Sequence, residues 1–545
     1  MRTYISIITL ALVIANLFQC KVFAQNNPKR PKLVVGMVVD QMRYDYLYRY
    51  SAGYTSEGFQ RLLREGFTCE NAHFDYVPTY TAPGHACIYT GATPSVNGIV
   101  SNEWYDRSLK KGIYCVNDTT VDPVGTTSIS GKMSPRRLLS STVTDELVFA
   151  TNGRSKVIGI SLKDRGSILP AGHAPTGAYW HDPFTNNFVT STYYMKSLPA
   201  WVKIFNERKL VDTLLSKPWN LTLPAERYVN STDDDSPYEG KYKGEERPVF
   251  PHDLPKLRAT ESELVRRTPM GNTFTLEFAK AAVEGEALGK DEVTDFLAVS
   301  LSSTDYVGHQ FGINALETED TYYRLDRDLN EFLVYLDQVV GKGNYLLFLT
   351  ADHGACANPA YNSDHGFPGG LMDEQLLRDT LSKALSVKFG EGILLFADAY
   401  NIFLDRDKIA AKKMDPKIIE DFCAGFVQGL PGVLNAYTSA DLNKSTCKEG
   451  VARLVQRGFH PQRSADISVQ LQPGWLDWLY KTGTSHGSPY TYDTHVPVIF
   501  FGTGIPQGST QKPVSVCDIA PTVSALLKIQ SPSGAEGQPI LNIFK

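Results

Sequence analysis

The chain has 545 residues, 42% of them hydrophobic and 21% charged, a composition typical of globular proteins. Its net charge of −5 and its pI near 6.2 show no excess of basic residues, so we expect no nucleic-acid partner. The eight cysteines include no Cys-x-x-Cys pair, so histidine and carboxylate are the expected ligands of any metal.

The first 24 residues have the parts of a secretory signal peptide. Arg2 gives a positive start, a mostly apolar run covers 5–17, and Ala24 precedes the expected cleavage site. The run is short for a bilayer span; an N-terminal membrane anchor and a lipid anchor on Cys20 are the alternatives. We expect no membrane span in the mature chain, and we predict an exported, periplasmic protein. Residues 25–545 are expected to form its catalytic domain.

Five short apolar runs predict buried strands, and most of them end beside a polar residue. The runs are 32–39, 156–162, 295–302, 344–350 and 497–502. Helical periodicity lies between some of them and after the last, most clearly over 319–340 and 518–527. Strands that alternate with helices predict an α/β fold, a doubly wound and mostly parallel sheet with helices on both faces. Ligands of such sheets bind beyond the carboxyl ends of the strands.

Two stretches interrupt this alternation. The stretch at about 183–271 is rich in Tyr, Trp, Pro, Asn and acidic residues and has weak periodicity. The stretch at about 373–480 has helix and strand patterns of its own. We predict that both are inserted cap subdomains of the catalytic domain.

Two pairs of metal-ligand type occur near predicted strand ends. Asp305 and His309, in STDYVGH, are four residues apart, which puts both on one face of a helical turn. A carboxylate and an imidazole so placed suit zinc, although this spacing is common by chance. Asp352 and His353, in TADHGA, follow a buried strand, where a turn lets both reach one ion. The alternative is a turn that only caps a helix.

Two further residues complete the set of candidate ligands. Asp40 follows the first strand and needs a partner, because a buried unpaired charge is costly; Arg43 or a helix N-terminus would serve as well as a metal. His486 lies in a Gly/Ser-rich loop, where most histidines are solvated. Three carboxylates and three imidazoles are enough for two zinc ions with three protein ligands each, namely Asp40, Asp305, His309, Asp352, His353 and His486. Paired metals can hold the attacking and leaving oxygens of an in-line displacement.

A hydroxyl nucleophile is expected beside such metals. Thr81, in VPTYTAPGH, precedes a predicted helix whose first turn contains Pro83. Free backbone amides at a helix N-terminus favour an anion there. Thr79 is the rival nucleophile, and a simple helix cap is the more ordinary role for Thr81.

Phosphate donors are also expected. Lys163 and Arg165, in SLKDR, come directly after a predicted strand, and Asn102 follows the nucleophile segment. A guanidinium grips two phosphate oxygens and an ammonium adds a point charge. Each of these residues alone is more often an ordinary surface residue.

These motifs together resemble the alkaline phosphatase superfamily, in particular the PafA-type periplasmic zinc alkaline phosphatases. The resemblance extends over nearly the whole mature chain and is carried by VPTYTAPGH, SLKDRGSILPAGH, STDYVGH and TADHG. It implies a phosphomonoesterase that forms a covalent phosphothreonine on Thr81, releases phosphate and an alcohol, and acts on small phosphomonoesters. It further implies that Asn102, Lys163 and Arg165 bind the phosphoryl oxygens.

The resemblance also implies how two Zn²⁺ ions are shared among the ligands. One ion would be held by Asp305, His309 and His486. The other would be held by Asp40, Asp352 and His353, with Thr81 bridging. Nearby, His365 is interpreted as a surface residue or one outside the metal ligands, with an extra metal role as the alternative.

Three other functions remain as alternatives. Phosphodiesterase/nucleotide pyrophosphatase relatives share the two-metal core but cleave diesters; Lys163 and Arg165 favour a monoesterase. A sulfatase is disfavoured by the threonine at position 81, because sulfatases use a modified Cys or Ser. A binding protein without activity would lack at least one ligand, and none is missing.

Overall fold

The computed structural model describes residues 30–444, 446–477 and 479–544. The predicted signal peptide therefore lies outside the described residues. A ten-stranded sheet forms the centre of the molecule. The order of its strands is Gly508–Thr510, Phe67–Cys69, Val498–Gly502, Tyr345–Thr350, Leu33–Val39, Asp295–Leu301, Val157–Ser161, Gly177–Asp182, Asn187–Ser191 and Pro123–Val124.

The middle of this sheet is parallel and fully buried. Strand Leu33–Val39 pairs in parallel with Asp295–Leu301 on one side and with Tyr345–Thr350 on the other. Every residue of these three strands is buried, as expected where both faces of a sheet are covered. Val157–Ser161 continues the parallel order, whereas Val498–Gly502 runs antiparallel. The predicted α/β fold with a mostly parallel sheet is confirmed.

Helices surround the sheet and contribute to one large core with it. The predicted helix over 319–340 is found at Leu316–Leu336 and continues as a π-helix over Asp337–Gly341. The other helices of eight or more residues in this part of the chain are Thr81–Thr90, Val143–Ala150, Asp164–Ala171, Ala200–Glu207, Met270–Gly285, Ser303–Phe311 and Ile519–Leu527.

The segment 373–477, called the cap below, forms a second antiparallel sheet. Its strands are ordered Leu394–Ala397, Asn401–Leu404, Ile467–Leu471 and Val433–Thr438. Helices Glu374–Phe389 and Pro416–Gln428 enclose a separate hydrophobic cluster with this sheet. Gly370–Met372, just before the cap, pairs in parallel with Trp475–Asp477 at its end, so the chain enters and leaves the cap at one place.

The segment 183–271 is built differently. It contributes strand Asn187–Ser191 to the central sheet and has short helices elsewhere, such as Leu254–Leu257. Its buried aromatic side chains Trp219 and Tyr242 belong to the same hydrophobic core as the sheet. It therefore wraps the central unit without a core of its own. The predicted domain boundaries stay predictions.

Among the residues that the structure describes, no helix is both long and apolar enough to cross a membrane.

Candidate active site and metal centre

Three carboxylates meet where the central strands end. Asp40 directly follows Leu33–Val39, and Asp352 lies two residues after Tyr345–Thr350. Asp305 is in the first turn of the helix that follows Asp295–Leu301. Because these strands are adjacent and parallel, their carboxyl ends lie at one edge of the sheet. All three side chains are at most 2% exposed, so they need a compensating positive charge.

Asp40, Asp352 and His353 form a first compact group. Their ligand atoms lie within 4.8 Å of one another. His353 Nε2 is 3.6 Å from both Asp40 Oδ1 and Asp352 Oδ2. These three atoms are buried and have no hydrogen-bond partner among the described residues. Buried polar atoms without partners are costly, so this group fits a bound cation. The same three residues were predicted to share one ion.

The second group differs from the predicted one in its geometry. The ligand atoms of Asp305, His353 and His486 lie within 4.8 Å of one another, and the rings of His353 and His486 stack with centroids 3.4 Å apart. The predicted ligand His309 lies at the margin of this second group, with its Nε2 3.2 Å from Asp305 Oδ1. His353 thus stands between the two groups.

All three imidazoles are oriented in the same way. Each Nδ1 donates a hydrogen bond to a backbone carbonyl and leaves Nε2 facing the carboxylates. The pairs are His309 with Thr484 at 2.8 Å, His353 with Gly354 at 3.0 Å and His486 with Thr79 at 2.7 Å. This bond fixes the tautomer that metal-ligating histidines use. Burial and repulsion from His353 and His309 also hold the pKa of His486 well below its usual range, which keeps that ring neutral.

Thr81 is the first residue of helix Thr81–Thr90 and is 1% exposed. The helix lies directly on the metal-binding strand end, since a Cβ on Gly84 would be 2.3 Å from the carbonyl oxygen of Asp352. The Ala82 backbone amide donates to Asn102 Oδ1 at 2.9 Å, which places Asn102 beside the start of the helix. The rival Thr79 instead donates its hydroxyl to the Ser488 carbonyl.

Two cations converge on the Thr81 hydroxyl. Lys163 Nζ and Arg165 Nη2 each lie 3.5 Å from Thr81 Oγ1. Lys163 Nζ also donates to Asp40 Oδ2 at 2.7 Å and to Asp305 Oδ2 at 2.5 Å. Burial opposes the charged ammonium, but these two carboxylates outweigh it and raise the pKa of Lys163.

Arg165 is held in place by one aromatic partner. Its Nη1 donates to the Tyr114 hydroxyl at 2.9 Å, while its buried Nε has no partner among the described residues. The guanidinium therefore keeps donor capacity for a bound anion. Asn102, Lys163 and Arg165, predicted as phosphate donors, all lie around Thr81.

Two neighbours of the site were not found from the sequence. Gln41 Nε2 donates to Asp305 Oδ1 at 2.7 Å, and its backbone amide donates to Asp352 Oδ1 at 3.1 Å. Its φ of +63° is unusual for a residue other than glycine. His85 donates from Nδ1 to the Thr81 carbonyl at 2.9 Å and is 3.3 Å from Asp352 Oδ2. Their positions beside Asp40 and within VPTYTAPGH were the available signals.

His365 lies apart from these groups. It is exposed, bonds to the Tyr361 carbonyl at 2.8 Å and stacks on the Tyr361 ring. Carboxylates and imidazoles with open ligand atoms, next to a hydroxyl and two cations, define a metal-dependent hydrolase of phosphate esters.

Comparisons with known proteins agree with this class. The sequence model of the family described as type I phosphodiesterase / nucleotide pyrophosphatase matches residues 34–492. Alkaline phosphatase PafA of Elizabethkingia meningoseptica is 48% identical over 95% of each chain. Alkaline phosphatase PhoV of Synechococcus elongatus is 47% identical over 95% of this chain and 93% of its own.

Solved structures give the same result. The crystal structure of wild-type PafA has a TM-score of 0.93 and 47% identity, and covers 95% of this chain and 100% of its own. A second PafA structure, with a TM-score of 0.92, carries substitutions of one threonine, one asparagine, one lysine and one arginine. The chain belongs to the type I phosphodiesterase / nucleotide pyrophosphatase family, as one of its alkaline phosphatases. It is a phosphomonoesterase that acts on small phosphate monoesters, as predicted.

Proposed function

We propose that the enzyme transfers the phosphoryl group of a monoester to Thr81 and then to water, with two zinc ions bound by six side chains. The observation that carries the proposal is the Thr81 hydroxyl at a helix N-terminus, 3.5 Å from both Lys163 Nζ and Arg165 Nη2. The substituted residue types of the PafA variant match Thr81, Asn102, Lys163 and Arg165 and support this set.

Six side chains would hold the ions. Asp40, Asp352 and His353 would bind one, because Asp40 Oδ1, Asp352 Oδ2 and His353 Nε2 are buried, close together and without a hydrogen-bond partner among the described residues. Asp305, His309 and His486 would bind the other, with His309 Nε2 already 3.2 Å from Asp305. Mixed imidazole and carboxylate ligands suit zinc. When bound, such ions lower the pKa of an adjacent hydroxyl and neutralise charge on the reacting oxygens.

The chain's own residues define the course of the reaction. The Thr81 hydroxyl gives up its proton, and its oxygen forms a bond to phosphorus as the bond to the substrate's alcohol oxygen breaks. The departing oxygen takes up a proton and leaves as the alcohol. Lys163 and Arg165 donate to the oxygens of the transferred group, where negative charge is concentrated. Asn102 accepts from Ala82 through Oδ1 and so presents its amide nitrogen as a third donor. Attack by water then releases phosphate and restores the threonine.

The same residues explain the preference for monoesters. A monoester dianion carries one more charged oxygen than a diester. Two cationic side chains beside Thr81 would stabilise that charge. In a diester, the second ester group would take the place of the charged oxygen beside Lys163 or Arg165. The diesterase alternative is therefore not favoured.

The first test compares kcat/KM for a phosphate monoester and a matched diester, with zinc and after chelation. We expect a strong monoester preference that is lost on chelation and restored by zinc. A second test traps the intermediate by acid quench and locates the added phosphoryl group by peptide mass. Thr81→Ala should lose the phosphopeptide and at least about 10³-fold in kcat, whereas Thr79→Ala should keep both. Near-full activity of Thr81→Ala would disprove the nucleophile assignment.

We also propose that the mature enzyme acts in the periplasm, since residues 1–24 have the composition of a signal peptide. Activity in the osmotic-shock fraction tests this. Activity that stays with the cytosol would refute it.

A further inference from the structure

A cavity of about 680 Å³ lies between the phosphate donors and the cap. Its lining includes Asn102 and Arg165 at one end, and also Gly487, the residue after His486. Cap residues such as Leu395 and Phe396 line it as well. The cavity is thus continuous with the place where the phosphoryl group would bind. A group attached to that phosphoryl group has direct access to it.

Aromatic rings from both parts of the molecule line this cavity. Outside the phosphate end, its aromatic side chains are Tyr80, Trp104, Tyr105, Phe396, Tyr400, Phe403 and Phe459. Tyr80 approaches Tyr400 with ring centroids 6.4 Å apart, and Tyr105 approaches Phe403 at 6.0 Å. Small-molecule sites are typically concave and lined by such side chains.

Two apolar side chains of the cap remain uncovered there. Leu395 and Phe396 are each 42% exposed although they line a concave surface. Covering such apolar surface removes it from water, which is favourable. A ligand with an apolar ring would gain this energy, whereas a short alcohol would leave the surface in water.

The charges around the cavity do not favour a second anion. Arg463, a cation of the lining, donates to the carbonyls of Gly98 and Arg137 and packs on the Trp104 ring at 5.4 Å. Its Nη1 is therefore already engaged by the backbone carbonyls, and one face of its guanidinium is covered by the ring. The lining also includes the acidic residues Glu103 and Asp398. An alcohol with its own phosphate or carboxylate would meet these negative groups.

From this geometry, and resting on the function proposed above, we propose that the alcohol part of the substrate occupies the cavity. The enzyme then selects monoesters of uncharged alcohols that carry an apolar ring. The position of Gly487 supports this, because it places the cavity beside His486, one of the proposed metal ligands. The cap determines specificity through Leu395, Phe396 and Tyr400.

The test compares 2-phenylethyl phosphate with ethyl phosphate on the zinc-loaded enzyme. Their alcohols have nearly equal acidity, so the ratio of the two kcat/KM values reports binding of the ring. We expect the wild-type ratio to exceed about tenfold, and Phe396→Ala to lower this ratio several-fold. Leu395→Ser is a second variant at an exposed position. Phe184→Ala is the matched control, since Phe184 is 79% exposed and does not line the cavity.

The outcomes separate this inference from the proposed function. Hydrolysis of neither substrate would refute the function itself. Equal hydrolysis of both substrates, or an unchanged ratio in both cap variants, would overturn the role of the cavity and leave the phosphatase activity standing.

A different observation carries a second inference. Cys87, in helix Thr81–Thr90, and Cys517, in the short helix Val516–Asp518, are both buried, and their sulfur atoms are 3.0 Å apart. Non-bonded heavy atoms normally rest at about 3.5–4.0 Å. The two thiols are therefore placed for a covalent bond with little movement.

We propose that Cys87 and Cys517 form a disulfide in the exported protein. Each thiol loses a proton and one electron, and a disulfide-bearing oxidant accepts both electrons and both protons and becomes two thiols by exchange. The bond would tie the helix that carries Thr81 to the C-terminal segment. Such disulfides persist in oxidising compartments.

Intact-mass analysis after alkylation without reduction tests this bond on protein secreted with its signal peptide. We expect two of the seven mature cysteines to escape alkylation, a peptide that joins residues 87 and 517, and a lower Tm in reductant. Cys87→Ser should abolish the Tm effect of reductant, and Cys115→Ser, at another buried thiol, should retain it. Alkylation of both residues in the unreduced, denatured protein would overturn the proposal.

Discussion

Replacing Lys163 with methionine should destabilise the metal-free enzyme much more than the zinc-loaded one. In the structure the ammonium donates to Asp40 at 2.7 Å and to Asp305 at 2.5 Å, and all three side chains are at most 3% exposed. Removing one partner of a buried ion pair costs about 3–5 kcal/mol. An unfolding entropy of about 2.1 cal/mol/K per residue gives about 1.1 kcal/mol/K for a chain of this length. The expected fall in Tm is therefore about 3–5 °C.

In the zinc-loaded enzyme, the bound ions would supply the positive charge that Lys163 supplies to Asp40 and Asp305 in the metal-free enzyme. The same substitution should then lower the Tm of the zinc-loaded enzyme by less than about 1 °C. Differential scanning calorimetry in chelator and in excess zinc measures both values. Lys110→Met is the matched control, because its ammonium is also 2.5 Å from a carboxylate, that of Asp407, but on the surface; it should change neither Tm. Equal losses in both conditions would refute the reasoning.

Three further predictions concern neighbours of the site and the wider fold. Gly84→Ala should lower kcat about 100-fold, because its Cβ would push the Thr81 helix away from Asp352 and small displacements of reacting groups are costly. Gly425→Ala, whose Cβ has open space among the described residues, should keep full activity. Equal effects of the two substitutions on kcat would contradict this reasoning. Gln41→Leu should weaken zinc binding by about 10–100-fold in a competition assay with a chelator, since it removes the hydrogen-bond donor to Asp305. An unchanged zinc affinity would disprove the role of that hydrogen bond. Burial opposes the charge on His252, but hydrogen bonds to Glu245 and Glu317 outweigh it and raise the pKa of His252 to about 9. The stability from this raised pKa is complete below pH 6.5 and is lost as the pH rises through 9, by about 3 kcal/mol. The free energy of unfolding of the wild type and of His252→Gln, measured with denaturant below pH 6.5 and above pH 9, should show this loss in the wild type alone. A gap between the two proteins that does not depend on pH would refute the prediction.

The sequence predicted the strands and the residues at their ends because burial on both faces leaves a clear apolar pattern. Asp40 and Asp352 could be found from this pattern, since each closes such a run. Which residues share an ion depends on distances across the sheet. The nearness of His353 to both groups, and the marginal place of His309, therefore had no sequence signal.

Other features escaped prediction for a similar reason. Gln41 acts through an unusual backbone conformation and two hydrogen bonds to residues far along the chain. Local composition does not encode such contacts. The cavity arises only where Tyr80 and Tyr105 meet rings of the cap. Each of those segments looks like an ordinary aromatic-rich loop or strand when read alone.

The course of the chain around the cap makes it an exchangeable module. The polypeptide leaves the centre after His353, builds a sheet with its own hydrophobic cluster and returns before His486. Its entry strand Gly370–Met372 and exit strand Trp475–Asp477 lie side by side. Replacement of the whole cap between these ends would leave every proposed metal ligand in the chain, while the contacts of Arg463 with Gly98 and Arg137 would have to be rebuilt. Libraries of chimaeras that vary only this cap offer a direct route to phosphatases with new substrate ranges.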